Sequence, residues 1–426
     1  MPNSQHELPE SMQNMIRDVQ ERLVHRPKLS ALFENCYPNT YQTTLKKQPD
    51  GTTFVITGDI PAMWLRDSAA QVHPYVSLAS HDEQMLELLT GVIQRQIRYI
   101  LHDAYANAFN ETDNVAGHQT DLTDMSPLVW ERKYEIDSLC YPIWLAYRLW
   151  TVTGSVKHLN EQFWQAADSI IELWTTEQHH EERSAYRFER LEAWAPHDTL
   201  SQRGPVAYTG MTWSGFRPSD DSCEFGYLIP ANMFAVVVLE HIAEMAEALR
   251  ADADQRIDRA KKLSAQIRSG IENYGTVEHP EYGKIYAYET DGRSNYILMD
   301  DANIPSLLSS PYLGYCKPDD LIYLNTRRFI LSSSNPYYCS GGIASGVGSQ
   351  HTPQGYIWHL ALSMQGLTSL DPQETERILE MLERTDAETG YMHEGFHADD
   401  PSKFTRPWFA WSNSLFSELV MKFCGM

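Results

Sequence analysis

Apolar residues recur at helical spacing along most of the chain. Over residues 83–101, Met85, Leu88, Leu89, Val92, Ile93, Ile97 and Ile100 fall on one stripe with Asp82 placed as N-cap, which predicts an amphipathic helix. Phe163, Ala167, Ile170, Ile171 and Trp174 repeat the pattern, as do Phe234, Val237, Val238, Ile242, Met245 and Leu249, and later Ile378, Met381 and Leu382. Strand-like alternation is confined to short stretches such as 52–57 and 284–288. The pattern predicts an all-α chain with small β excursions in loops.

Between the helical runs lies a second regularity, a polar and aromatic cluster just before an apolar run. Six such clusters occur: GDIPAMWLRDS (58–68), ERKYEIDS (131–138), SGFRPSDDS (214–222), NYILMDDAN (295–303), GSQHTPQ (348–354) and HEGFHADDPSKFTRPW (393–408). Marked by Asp67, Asp137, Asp221, Asp301, His351 and Arg406, they stand about 68 residues apart on average, close to one sixth of the chain. Six two-helix units follow. Units of that kind close into an (α/α)6 barrel, a toroid in which one helix of each pair lines the inside. With a cluster at the N-terminus of each inner helix, all six gather at one end, where helix dipoles and free N–H groups favour carboxylates and hydroxyl-bearing ligands. An open α-solenoid is the competing architecture, and it leaves the recurrence of clusters at helix starts unexplained. No Pro/Gly/Ser-rich linker or low-complexity tract divides residues 1–426, so a single domain is expected.

Charge narrows the range of partners. Lys and Arg number 34 against 57 Asp and Glu, a formal charge of −23. Nucleic acid and anionic membrane surfaces are excluded as general partners, because both are bound through clustered cations. No stretch reaches the roughly 18 apolar residues of a membrane span. The first fifteen residues carry neither a basic nor an apolar leader region, so a cytoplasmic location is expected. Cys36, Cys140, Cys223, Cys316, Cys339 and Cys424 are too sparse for a disulfide scaffold and show no CxxC spacing, so reduced thiols are expected. The Asn110-Glu111-Thr112 sequon then has no acceptor role. Aromatic residues make up 11% of the chain, and many stand beside Asp, Glu, Arg and His. That pairing suits a sugar, which offers a CH-rich face for stacking and hydroxyls for acceptors.

Acids concentrate at the cluster positions: Asp59, Asp67, Glu135, Asp137, Asp220, Asp221, Asp300, Asp301 and Glu394. Glycoside hydrolysis needs one protonated carboxyl group for the leaving oxygen and a second, ionised one on the opposite face. Adjacent Asp220 and Asp221 cannot both ionise cheaply when partly buried, which makes one of them a candidate acid. Asp221, followed by Ser222 and an expected helix start, reads as an N-cap; Asp220, after the rigid Arg217-Pro218-Ser219 turn, reads as catalytic. Spacing alone leaves that choice open.

His393-Glu394-Gly395-Phe396-His397 is a literal H-E-x-x-H, which in a zinc peptidase sets two His one turn apart on a helix. Gly390 before it, Gly395 within it and Asp399-Asp400-Pro401 after it argue against a helix. Asp400 also stands where the metzincin pattern has Gly. With Glu418 as a distant third ligand, a zinc peptidase stays an alternative; otherwise His393 and His397 hold sugar hydroxyls or orient carboxylates. Trp64, Trp213, Trp408 and Trp411 are candidate stacking platforms, and His351 is a candidate polar ligand by its place in the six-cluster pattern. The glycine run over 341–348 lacks a GK[ST] ending, which sets nucleotide binding aside.

The motifs TGDIPAMWLRDS, WERKYEIDSLCYP, TGMTWSGFRPSDD, YAYETDG with MDDAN, SQHTP, and TGYMHEGFH with FTRPWFAWSNSLF resemble those of glycoside hydrolase family 125, the metal-independent exo-α-1,6-mannosidases. The resemblance runs over residues 32–416. It implies an (α/α)6 barrel, inversion at the anomeric carbon, and release of terminal α-1,6-linked mannose from N-glycan-type oligosaccharides without a metal or other cofactor. It also implies that Asp220, the first Asp of FRPSDD, is the acid, and that Glu394 of MHEGF is the base that activates water. Inversion requires the two carboxyls to stand roughly 6.5–9.5 Å apart. The candidate substrate-binding residues are Asp59, Trp64, Arg66, Asp67, Trp213, Arg217, Asp221, Asp301, Asn303, His351, His393 and Arg406. Residues 116–119 are unlike the flanking motifs and are a candidate border of the leaving-group side. A non-catalytic sugar-binding protein is the other alternative, and the presence of both carboxylates argues against it.

Overall fold

Two kinds of helix alternate along the chain. One kind is polar on its outer face: Pro372–Arg384 buries Ile378, Leu379 and Leu382 and leaves the rest at the surface. The other is enclosed on all sides over most of its length, as in Ile229–Leu249, which is buried continuously from Ile229 through Leu239. In the computed structural model, residues 7–200 and 204–426 are described. Residues 1–6, which open the segment read for a leader, and 201–203 lie outside the described residues.

Twelve of the described helices build two concentric rings. The outer ring contains α1 (Pro27–Cys36), α3 (Glu83–His102), α5 (Glu161–Glu177), α7 (Arg256–Tyr274), α9 (Leu321–Ile330) and α11 (Pro372–Arg384). The inner ring contains α2 (Leu65–Val72), α4 (Ile136–Thr153), α6 (Ile229–Leu249), α8 (Ser310–Leu313), α10 (His359–Leu367) and α12 (Ala410–Phe423). Inner neighbours α2 and α4, α4 and α6, α6 and α8, and α10 and α12 pack together, and α12 returns to α2. The sixth pair joins the two ends of the chain, since α12 packs on α1. The toroid expected from the six clusters is therefore closed, and the open solenoid is not formed.

The fourth unit departs from the expected pattern. Its inner helix α8 is a single turn, and the join to the fifth unit runs through loops, with Ala302 N–H donating to Gly348 O at 3.1 Å. Helix α6 is also long and apolar enough, among the described residues, to cross a membrane, contrary to the expectation of no such stretch. Its most apolar window is 83% buried inside the barrel, which accounts for its composition.

Caps separate the rings as well. Asp82, Asn160, Asp320 and Asp371 cap α3, α5, α9 and α11 through their side chains, Asp82 accepting from Met85 N–H at 3.1 Å. None of the inner helices carries a side-chain cap. Short antiparallel strands instead lead straight into α2, α6 and α10: Met63–Trp64, Tyr227–Leu228 and Tyr356–Trp358. The expected strands near 52–57 and 284–288 form as Thr53–Val55 and Gly283–Tyr286, each half of a two-stranded hairpin. All six cysteines are free thiols, with Cys36, Cys140 and Cys223 buried.

Candidate active site

Hydrogen bonds stitch the six clusters into one ring at the N-terminal ends of the inner helices. Arg66 of the first cluster donates to Glu135 (2.7 Å) and Asp137 (3.1 Å) of the second and to Asp220 (3.3 Å) of the third. Asn303 of the fourth donates to Pro218 O (2.8 Å), and Ser349 of the fifth donates to Asp301 (2.8 Å). Strand pairing of Trp358 with Gly395 links the fifth to the sixth, where Arg406 returns to Asp59 of the first at 2.6 Å. Loops scattered over 350 positions of sequence thus line one space.

Asp220 projects from a backbone with φ 64, a left-handed conformation that L-residues rarely adopt. The turn is held on both sides: Asp220 N–H donates to Arg217 O at 2.9 Å, and Lys133 Nζ donates to Asp220 O at 2.7 Å. Lys133 is itself fixed by Asp198, which also takes Arg190, so a buried ionic network underlies the turn. The Asp220 side chain is 26% exposed, whereas those of Glu135 and Asp137 are fully buried. Its Oδ1 faces Arg66 Nη2, Asn107 Nδ2 (3.3 Å) and Trp64 Nε1 (3.4 Å).

One guanidinium serves four carboxylates, because Asp67 also lies 3.5 Å from Arg66 Nε. Burial pushes Glu135 well up and Asp67 up to about 6, with Arg66 opposing both shifts. Burial acts on Asp220 in the same sense, but Arg66, the Glu135 hydrogen bond, Lys133 and His351 together outweigh it and hold Asp220 below the usual carboxylate range.

Glu394, in the sixth cluster, is 5% exposed, with Arg406 Nη1 3.4 Å from its Oε1. Arg406 also has positive φ (42) and reaches Asp59 and Thr57 O. Gly58 makes that closure possible: its φ is +76, and a Cβ there would lie 2.5 Å from Trp408 O. Asp59 N–H then donates to the same carbonyl at 3.2 Å.

Asp221 corrects an expectation. No helix starts after Ser222, since α6 begins at Ile229, and Asp221 caps nothing. Its carboxylate is 1% exposed and meets His351 Nδ1 at 3.0 Å. Burial lowers the His351 pKa, but the Asp221 hydrogen bond and charge reverse the shift and push it up to about 9, so an imidazolium faces the cleft beside both Asp220 and Glu394. Asp301 and Asn303 are buried beside Ser349 and brace this loop, with Asn303 N–H donating to Asp301 at 3.0 Å. Asp300 turns away to accept the N–H groups of Leu307 and Leu308.

Three candidate residues are tied into the packing around the site. Trp213 is 3% exposed and stacks on His180 at 3.6 Å, a wall position forced by its contact with Gly226. His393 is fully buried, stacked on Phe404 with Nε2 at Thr389 Oγ1. Arg217 is pinned to Glu289 at 2.6 Å and stands over Tyr288. Trp411 belongs to the barrel core against Tyr141 and Phe409.

The H-E-x-x-H motif forms no metal site. Gly395–His397 is a strand, so its two His do not share a helix face. Glu418 stands at the other end of the barrel, bonded to His73 and Tyr312, beside a cavity of about 460 Å³. No group of three or more His, Cys, Asp or Glu among the described residues is arranged to hold a metal ion.

Sequence reasoning passed over Asn107, Lys133 and Trp194. Lys133 lies inside a quoted motif, but its role runs through a backbone carbonyl, which residue type does not reveal. Asn107 and Trp194 belong to no cluster. Trp194 is 61% exposed and stands edge-on to His197 and His351 at the rim of the site. Residues 116–119 fold over the strand Val129–Glu131, where His118 lies 3.7 Å from Glu131.

Comparison with known proteins places this geometry. The family described as metal-independent alpha-mannosidase (GH125) matches residues 26–421. A metal-independent α-mannosidase of Streptococcus pneumoniae, solved as a non-productive complex with α-1,6-mannobiose, is 48% identical with a TM-score of 0.96, over 98% of this chain and 99% of that one. The meiotically up-regulated gene 157 protein of Schizosaccharomyces pombe is 39% identical, covering 96% of this chain and 85% of the relative. A bacterial glucoamylase complexed with acarbose, 13% identical with a TM-score of 0.61 over 92% of this chain and 55% of that one, shares the (α/α)6 fold alone. Matched over nearly its whole length, the chain belongs to the GH125 family of metal-independent α-mannosidases and is a glycoside hydrolase.

Proposed function

We propose that the enzyme is an inverting exo-α-1,6-mannosidase that removes terminal mannose from N-glycan-type oligosaccharides. The observation that carries this reading is the closed ring of hydrogen bonds that gathers the third cluster, with Asp220, and the sixth, with Glu394, at one end of the barrel. Asp220 protonates the glycosidic oxygen, and Glu394 takes the proton of a water that attacks C1 from the opposite face. The water's oxygen replaces the leaving oxygen, and β-mannose results. Asp59, Arg66, Asp67, His351 and Arg406 supply charged partners to the hydroxyls of the terminal sugar, with Trp64 as the apolar wall. The α-1,6 linkage is supported by the disaccharide held by the S. pneumoniae relative. Free thiols throughout suit a reducing compartment, and the cytoplasm is the proposed location.

Incubation with α-1,2-, α-1,3- and α-1,6-mannobiose tests the linkage. Release of mannose from the α-1,6 isomer at least about tenfold faster than from the others is expected, a margin worth about 1.4 kcal/mol. Equal rates on all three would refute the specificity.

A further inference from the structure

Glu135 poses a question that the two-carboxylate mechanism does not answer. It stands at the entry to α4, yet its side chain caps nothing and is fully buried. Its Oε2 accepts from Arg66 Nη1 at 2.7 Å and Ser138 Oγ at 2.9 Å. Its Oε1 is buried with no donor facing it. The carboxyl of Asp220 shares its guanidinium, taking Arg66 Nη2 at 3.3 Å while Glu135 takes Nη1, which brings the two acids together. Two carboxyl groups hydrogen-bond only when one of them bears a proton.

The surroundings decide which one does. Asp220 Oδ1 is met by three N–H donors, from Arg66, Asn107 and Trp64, and this favours its ionised form. Glu135 Oε1 is met by none, and an ionised oxygen so buried is costly. Arg66 is shared with Asp67, Asp137 and Asp220, Lys133 is turned to the Asp220 carbonyl, and Tyr186 adds no charge at neutral pH. These surroundings favour the proton on Glu135, one residue behind the group that must deliver it.

We propose that Glu135 stores the proton that Asp220 delivers, acting as a positioning residue whose effect on substrate runs only through Asp220. When sugar fills the cleft, it displaces water from the exposed face of Asp220, and the proton passes from Glu135 to Asp220. The Asp220 O–H then protonates the glycosidic oxygen as its bond to C1 breaks. The water's oxygen bonds to C1 and its proton goes to Glu394. Glu135 and Asp220 are left ionised and Glu394 protonated. Glu394 returns its proton to solvent, and the pair regains one through Asp220, the member that solvent reaches. This inference rests on the acid and base roles proposed above.

The test compares two substrates with the variant Glu135→Gln. The amide can donate N–H to Asp220 but carries no transferable proton, so Asp220 stays ionised. Turnover of α-1,6-mannobiose should fall by about 10²-fold or more, the usual worth of general acid catalysis. Hydrolysis of α-mannosyl fluoride, whose leaving group needs no proton, should stay within a few-fold of the parent. Glu135→Asp, which keeps a protonatable carboxyl, should recover part of the mannobiose activity, with the basic limb of its pH profile displaced. An equal loss on both substrates, or near-parent mannobiose turnover in Glu135→Gln, would overturn the proposal. If Glu135→Gln does not fold, Glu135→Asp decides: a parent-like basic limb refutes the storage role. A parent enzyme inert toward both substrates would instead refute the mannosidase reading itself.

Discussion

What faces a carboxyl's oxygens sets which protonation state it favours, and Asp220 and Glu394 differ in this respect. Asp220 is gripped by three donors and a neighbouring carboxyl, while Glu394 has one long contact from Arg406. Replacing either by its amide should lower kcat on α-1,6-mannobiose by about 10²-fold or more. Calorimetric affinity for the disaccharide should stay within a few-fold. Normal turnover in either variant would contradict the assignment. Both are candidates from the sequence because long motifs carry them.

Burial was not legible. Trp213 and His393 stand in the same motifs, but their neighbours Gly226, His180 and Phe404 come from other segments, and these turn them into packing. Asp221 was misread as a cap for the same reason, since its partner His351 lies 130 positions away. That pair predicts a pH dependence. The His351 pKa is raised from 6.5 to about 9, so the imidazolium's contribution to stability is fully present below about pH 6.5 and is lost as pH rises through about 9. The melting-temperature gap between the parent and His351→Gln should therefore narrow across that window. A gap independent of pH would show that His351 is not charged in the fold.

At the scale of elements, the 3.6-residue period located the outer helices α3, α5 and α11 and the inner helix α6, and Asp82 caps α3 as its position predicts. Among the inner helices, α6 shows its stripe from Phe234 to Leu249, whereas the eight-residue α2 and nine-residue α10 span little more than two turns and the one-turn α8 leaves no period at all. What orders their entrances is loop chemistry. Gly58 is the clearest case, with positive φ and no room for a methyl group against Trp408 O. Gly58→Ala should cost about 1–3 kcal/mol through backbone strain and clash, read as a lower melting temperature. It should also raise KM, because the Asp59–Arg406 link that joins the first and last clusters depends on this turn. An unchanged melting temperature and KM would mean that the closure does not depend on Gly58.

The whole molecule explains why six dispersed clusters form one site. Sixfold recurrence was readable from spacing, and closure follows because the last inner helix packs on both the first inner helix and the N-terminal outer one. Uncapped helix ends then face the ring, and part of the −23 charge is lodged there as buried acids around Arg66, Arg406 and His351. The proposed roles put a proton donor in the third cluster and a base in the sixth, which is what a single displacement would use. The most direct test is a proton NMR time course of α-1,6-mannobiose hydrolysis, fast enough to precede mutarotation. The account predicts that β-mannopyranose accumulates first; initial release of the α-anomer, or no release, would contradict it.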